Sequence, residues 1–275
     1  MDTAVAIRGQ ARTDADTARA ARRRILGFAA EQTVHLGSSL SVVDLLVAVL
    51  REAATGPAGT GDPNRERVLL SKGHAVWALY AVLAELGRLD PERLGPLAGH
   101  PADQVPGVDA ATGALGHGLS IGAGLAEATR LRGRDERTFV VLGDGELNEG
   151  SVWEAVMFAA HRRLGRLVAL VDRNGMQQEG ATADVLDLSP LAAKWRSFGW
   201  RVREVDGHDH AALREVVRAT ADPADRPVVL LARTVKGKGV PFMEHSAAWH
   251  TGRLDRAQLD AALAVLGQDR TVARA

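Results

Sequence analysis

Two stretches constrain this chain more than any others: Val140-Val141-Leu142-Gly143-Asp144-Gly145-Glu146 and, further along, Val168-Ala169-Leu170-Val171-Asp172-Arg173-Asn174. Each begins as a short continuous apolar run, the pattern of a strand buried on both faces, and each runs out into residues that favour a turn and carry oxygen. From residue 138 onward such runs alternate with helix-period segments. Strands are predicted at 138–142, 167–171, 200–205 and 228–232, and helices at 149–162, 190–198 and 211–220. This order predicts an α/β fold with a mostly parallel sheet and helices on both faces, because parallel neighbours need a crossover and a helix supplies it. In such sheets ligands sit beyond the carboxyl ends of the strands, which is where Asp144 and Asn174 fall.

Upstream, helical spacing predicts a helix over 17–32 with Arg22, Arg23 and Arg24 as its solvated face, then a second helix capped by Ser41 and running through Val49. Residues 55–63 read as a loop, 67–71 as a strand, 74–86 as a helix and 116–131 as a Gly- and Ala-rich helix. No repeat or linker divides the chain, so residues 1–275 are expected to form a single domain. Lys plus Arg and Asp plus Glu both total 34, which announces no basic face for nucleic acid or anionic membrane. Cysteine is absent, which removes disulfides, thiolate zinc sites and thiol nucleophiles together. The N-terminus lacks a basic segment followed by an apolar one, and no apolar run is long enough to span a bilayer; a soluble, cytoplasmic protein with no membrane partner is expected.

Asp144 lies two positions past the last apolar residue of its strand, and Glu149 to Ser151 open the next helix. A phosphate between them meets free backbone N–H groups, and Gly143 and Gly145 put no side chain in its way. A diphosphate carries too much negative charge to rest there without a cation. Mg²⁺ takes about six oxygens, some of them from the phosphates; Asp144 offers a carboxylate, Asn174 an amide oxygen and the loop near Met176 a carbonyl, and Ca²⁺ is a chemical substitute. The plainer reading makes Gly-Asp-Gly and Asn-Gly simple turns, a reading that weakens once both end buried strands. Two other motifs compete. Gly118-Leu119-Ser120-Ile121-Gly122 matches the nucleophile elbow of hydrolases, which requires a strand directly before it, whereas 112–117 reads as a Gly-rich turn. Gly143-Asp144-Gly145 lacks the third glycine of a dinucleotide fingerprint.

Gly143-Asp144-Gly145-Glu146-Leu147-Asn148-Glu149-Gly150 with Asn174-Gly175-Met176-Gln177 resembles the thiamine diphosphate motif of the transketolase family. The likeness continues in order through His35-Leu36-Gly37-Ser38-Ser39-Leu40-Ser41, Ser71-Lys72-Gly73-His74-Ala75, Gly99-His100-Pro101, Thr112-Gly113-Ala114-Leu115-Gly116-His117-Gly118, Asp206-Gly207-His208-Asp209, and Lys236-Gly237-Lys238-Gly239 through Trp249-His250. It implies a diphosphate-binding domain in which Asp144, Asn174 and the Met176 carbonyl hold Mg²⁺. Gly143, Gly145 and His74 would lie at the diphosphate, Gly113 and Leu115 at the aminopyrimidine, and Glu149 at the subunit interface. His35, His100 and His250 match histidines that bind sugar hydroxyls and move protons, work suited to a side chain that titrates near neutrality. Three departures gather at the substrate end: Leu36 stands where a Pro is common, His117 where a Gln is common, and the segment after Trp249-His250 lacks the usual spacing to a Pro.

A lone histidine is ordinarily a surface ring or a buried one with a satisfied nitrogen; His161, His208, His210 and His245 keep that reading. Lys236 and Lys238 read either as a solvated Gly-rich loop or as phosphate or substrate contacts. The resemblance further implies the N-terminal subunit of a split transketolase. Its partner, a C-terminal subunit, would carry the pyrimidine-binding domain and the activating glutamate, in a heterotetramer acting on phosphorylated sugars. The helix from Gly116 and the helix bearing Trp153, Val156 and Met157 are the interface candidates, with ordinary packing within the chain as the other reading. The alternatives are the alpha subunit of another thiamine diphosphate enzyme, such as a 2-oxoacid dehydrogenase, and a catalytically silent scaffold that keeps the fold.

Overall fold

The predicted runs become five strands in a computed structural model that describes residues 12–53, 65–93, 99–222 and 224–267; the loop read at 55–63 lies outside them. The strands are β1 (Arg67–Leu70), β2 (Thr138–Gly143), β3 (Leu167–Arg173), β4 (Arg201–Asp206) and β5 (Val228–Arg233). All pairings are parallel, in the order β1-β2-β3-β5-β4. In the β2–β3 register Gly143 lies opposite Asp172, so the turns bearing Asp144 and Asn174 leave the sheet side by side.

Side chains alternate across this sheet, and helices cover both faces. Val68, Leu70, Phe139, Val141, Val168 and Leu170 pack toward α1 (Asp14–Glu31), α2 (Leu36–Glu52), α3 (Val76–Glu85) and α8 (His210–Arg218). Val140, Leu142, Ala169 and Val171 pack toward α4 (His117–Leu131), α5 (Gly150–His161) and α7 (Leu191–Ser197). Burial on both faces is why the strands read as unbroken apolar runs rather than alternating ones. A short helix, α6 (Thr182–Leu186), follows the loop after β3, and α9 (Arg256–Val265) packs on α1. No described helix is long and apolar enough to cross a membrane.

α4 lies unusually close to the sheet. A Cβ at Gly118 would come within 2.2 Å of Ser71 Oγ and 2.7 Å of Ser71 Cα, and one at Gly122 within 2.3 Å of Val140 Cγ2. The small residues that make this helix light therefore let its backbone approach β1 and β2.

Two expectations need correction, and one helix was not foreseen. Arg22 is 7% exposed, not solvated, and its guanidinium grips Asp44 on α2 at 2.5 Å. Consecutive helical residues are about 100° apart, so three arginines in a row cannot all face outward. Ser41 is not a cap: α2 starts at Leu36, and Ser41 is buried inside it, donating to Asp172 Oδ2 at 2.6 Å. A buried acceptor outweighs the preference of serine for a helix end. α9 carries too sparse an apolar stripe to be read by period, although its capping box of Asp255 and Gln258 is written in the sequence.

Candidate functional site

A cavity of about 450 Å³ opens at the carboxyl ends of β1, β2 and β3. Its wall is assembled from six segments. His35 and Ser38 come from the start of α2, Lys72 and His74 from the turn after β1, and Gly113 and Leu115 from the approach to α4. Gly143–Glu146, Asn148 and Glu149 follow β2, Asn174 and Met176–Glu179 follow β3, and His250 closes the far side. Of the predicted site residues, only His100 does not line it.

Asp144 is buried, and its carboxylate stitches the two turns together: Oδ1 accepts from Gly145 N at 3.0 Å and Oδ2 from Gly175 N at 2.6 Å. Burial, then the nearby Asp172 carboxylate, pushes its pKa up to about 6 against the pull of those N–H groups and Lys72. A buried carboxylate so disfavoured as an anion is one that a cation would stabilise. Asn174 Oδ1 accepts from Met176 N at 3.0 Å, and Asn174 Nδ2 donates to Ser41 Oγ at 3.3 Å. Among the described residues the Met176 carbonyl accepts no hydrogen bond. No group of three or more His, Asp or Glu among the described residues is placed to hold a metal. A divalent ion here would use this mixed set of carboxylate, amide and carbonyl plus oxygens of its own ligand, which is how Mg²⁺ is usually held beside phosphates.

Beneath the turns lies a polar layer that sequence reasoning missed. Asp172, with no exposed surface, accepts from Lys72 Nζ at 2.5 Å, from Ser41 Oγ and from Thr234 Oγ1. The available signal was a carboxylate inside an apolar strand, which must find partners or neutralise. Glu146 was also passed over. Its buried carboxylate accepts from the Ser71 hydroxyl, from Gly116 N at 2.9 Å and from Gly143 N at 3.1 Å, tying β1, the start of α4 and β2 together. Burial still raises its pKa despite these donors.

Three imidazoles face one another across the cavity. Ring centroids lie 5.2 Å apart for His35–His74, 5.4 Å for His35–His250 and 5.7 Å for His74–His250. Burial is the main reason all three stay neutral. It lowers His35, with His100 and Lys236 adding repulsion; it takes His74 down to about 2, with Lys72 adding repulsion; and it takes His250 down to about 4, with Lys236 adding repulsion. Lys236 is fully buried rather than on a solvated loop, and its Nζ lies 3.0 Å from His250 Nδ1 and 3.1 Å from the Gln177 carbonyl. Burial, then Lys72, lowers it to about 8.

His100 is exposed at the rim, its carbonyl accepting from the Tyr80 hydroxyl at 3.3 Å and its ring beside Gly113, where a Cβ would meet His100 Cδ2 at 3.2 Å. Glu149 is exposed at the N-cap of α5. Of the α5 interface candidates, Val156 is fully buried in the core and Trp153 donates to the Leu147 carbonyl, leaving Met157 exposed beside Phe158. Ser120 is exposed within α4 with no strand directly before it, so no nucleophile elbow forms.

The profile of the family described as "Transketolase, thiamine diphosphate binding domain" matches residues 15–273. The chain is 39% identical over 226 residues to one of the subunits of the apulose-4-phosphate transketolase of Phocaeicola vulgatus, covering 79% of this chain and 80% of that one. It is 38% identical over 245 residues to the 6-deoxy-6-sulfo-D-fructose transketolase subunit SqwG of a Clostridium species, covering 86% and 89%. Among solved structures, transketolase from Campylobacter jejuni superposes with a TM-score of 0.81 at 25% identity, over 94% of this chain but only 43% of the other.

Proposed function

Since the chain belongs to the transketolase family through its thiamine diphosphate-binding domain, we propose that it is the N-terminal subunit of a two-component transketolase. With its partner it transfers a two-carbon ketol unit from a ketose to an aldose, as a transferase of aldehyde or ketone residues. One observation carries this reading: three neutral imidazoles converge on a cavity whose floor presents Asp144, Asn174 and the Met176 carbonyl. Relatives of similar extent named as transketolase subunits support it.

In this reading Asp144, Asn174 and the Met176 carbonyl hold Mg²⁺, with Ca²⁺ able to replace it, while Gly143, the Gly145 N–H and His74 meet the diphosphate. Gly113 and Leu115 meet the aminopyrimidine. Bound there, thiamine diphosphate supplies the electron sink for carbon–carbon cleavage. The residues of this chain handle protons and orientation: His35 and His250, held neutral by burial, and His100 at the rim accept and return protons at the sugar hydroxyls. Lys236 donates to His250 Nδ1, so the proton of that ring sits on Nε2. Among the described residues that wall the cavity none is an arginine, and Lys72 is committed to Asp172. We assign to the partner subunit the anionic end of the sugar, the pyrimidine-binding domain and the activating glutamate, in a cytoplasmic heterotetramer. Glu149 and the exposed faces of α4 and α5 form this chain's side of the interface.

Reconstitution tests the proposal. The purified chain with Mg²⁺ and thiamine diphosphate is expected to be nearly inactive, and addition of the subunit that copurifies with it to restore ketol transfer at about 1–1,000 per second. Turnover in that range by the chain alone would overturn the two-component reading.

A further inference from the structure

The turn Asp206-Gly207-His208-Asp209 between β4 and α8 has no part in the chemistry above, yet it is fastened to the segment that carries Lys236. Gly207 N donates to the Arg233 carbonyl at 2.7 Å. A Cβ at Gly207 would lie 2.4 Å from Thr234 Cγ2 and 2.8 Å from that carbonyl, so no other residue permits this approach. His208 Nε2 then accepts the N–H of Val235 at 2.9 Å. A ring nitrogen that accepts an N–H carries no proton, so the neutral ring keeps its proton on Nδ1, which donates to Asp44 Oδ2 at 2.6 Å.

Asp44 fixes that tautomer. It is 2% exposed, and burial works against its ionisation, but the Arg22 guanidinium and then the His208 hydrogen bond outweigh burial and hold it at about 2. The other basic neighbour is His210, whose Nε2 lies 3.4 Å from Asp44 Oδ1. On either side of Val235, Thr234 donates to Asp172 and Lys236 reaches His250 and the Gln177 carbonyl.

We propose that His208 is a positioning residue for the Lys236–His250 pair: oriented by Asp44 and Arg22, its ring holds the backbone of Val235 and so sets where the Lys236 ammonium meets His250. Its consequence for turnover rests on the proposed role of His250, whereas the positioning is a property of this chain alone. An apolar side chain at 208 would leave the Val235 N–H without its acceptor and free the strand exit to shift.

Imidazole ¹⁵N NMR of the full chain tests this. Wild type is expected to show His208 as the Nδ1–H tautomer and His250 titrating well below an ordinary histidine. In His208→Leu the His250 midpoint is expected to rise by about one unit or more as the Lys236 charge moves off. His208→Gln, whose amide offers one acceptor and one donor, is expected to restore it. In the reconstituted complex His208→Leu should lower kcat about tenfold with thiamine diphosphate affinity unchanged. An Nε2–H tautomer in wild type, or a His250 midpoint that does not move in a folded Leu variant, overturns the proposal; should that variant not fold, the wild-type tautomer decides alone. The expected NMR behaviour without ketol transfer by the wild-type complex would support the positioning and sink the functional reading instead.

Discussion

The burial of Asp144, the proposed cation ligand, comes at a cost to the free chain. Its folded pKa, about 6, lies above the ordinary carboxylate value, so it favours folding at low pH and loses that contribution as pH rises through 6. At pH 7 the cost is up to about 3 kcal/mol. Asp144→Asn removes this titration but sets an amide NH₂ against one of the two turn N–H groups, so its metal-free chain is expected to lose the fall in urea stability between pH 5 and pH 7 that this carboxyl causes, with Mg²⁺ no longer adding stability in the presence of thiamine diphosphate. An Asn variant with the wild-type pH slope would contradict this. His74 has the opposite sign. Its folded pKa is depressed to about 2, so stability present above pH 6.5 is lost as pH falls toward that value, by about 2 kcal/mol at pH 5. His74→Asn should flatten that slope in urea titrations. At this scale the sequence displays the groups that reach the cavity, because motif spacing marks them. It hides Lys72, Glu146 and Arg22, whose roles depend on Asp172, Gly116 and Asp44, partners far away along the chain.

At the scale of elements, α4 decides whether the Gly113–Leu115 wall sits correctly, and its glycines divide into two kinds. Gly118 faces Ser71 with no room for a methyl group, while Gly124 faces open space. Gly118→Ala is expected to destabilise by about 1–3 kcal/mol through overpacking. Gly124→Ala should stabilise by about 0.5–1 kcal/mol through helix propensity. Thermal melts of the two variants check the pair, and equal effects would mean that α4 does not lie on the sheet as described. The elements themselves were legible wherever burial is two-sided, as in β2, β3 and β5. The start of α2 was not, because its 15 buried residues leave no polar stripe from which to read a boundary. At Leu36, where a Pro is common, the N–H donates to the Val34 carbonyl at 3.0 Å, a bond that proline would forgo.

Across the whole molecule, the two ends of the sheet and its outer surfaces have different tasks. Leu115, Ile121, Met157 and Phe158 are 36–50% exposed on or beside the adjacent helices α4 and α5. The edge strand β4 instead presents Arg203 and Glu204, exposed charged side chains that discourage pairing with another chain. Hydrogen exchange is expected to slow along α4 and α5 when the partner subunit is added and to stay unchanged in β4; protection of β4 instead would place the interface wrongly. The central claim is that a divalent cation bridges the turns after β2 and β3 and anchors the cofactor. Anomalous scattering from Mn²⁺, in crystals of the reconstituted complex with thiamine diphosphate, tests it most directly. The expected result is a single peak about 2.0–2.3 Å from the Asp144 carboxylate, the Asn174 amide oxygen and the Met176 carbonyl; a cofactor bound with no metal between those three oxygens would contradict it.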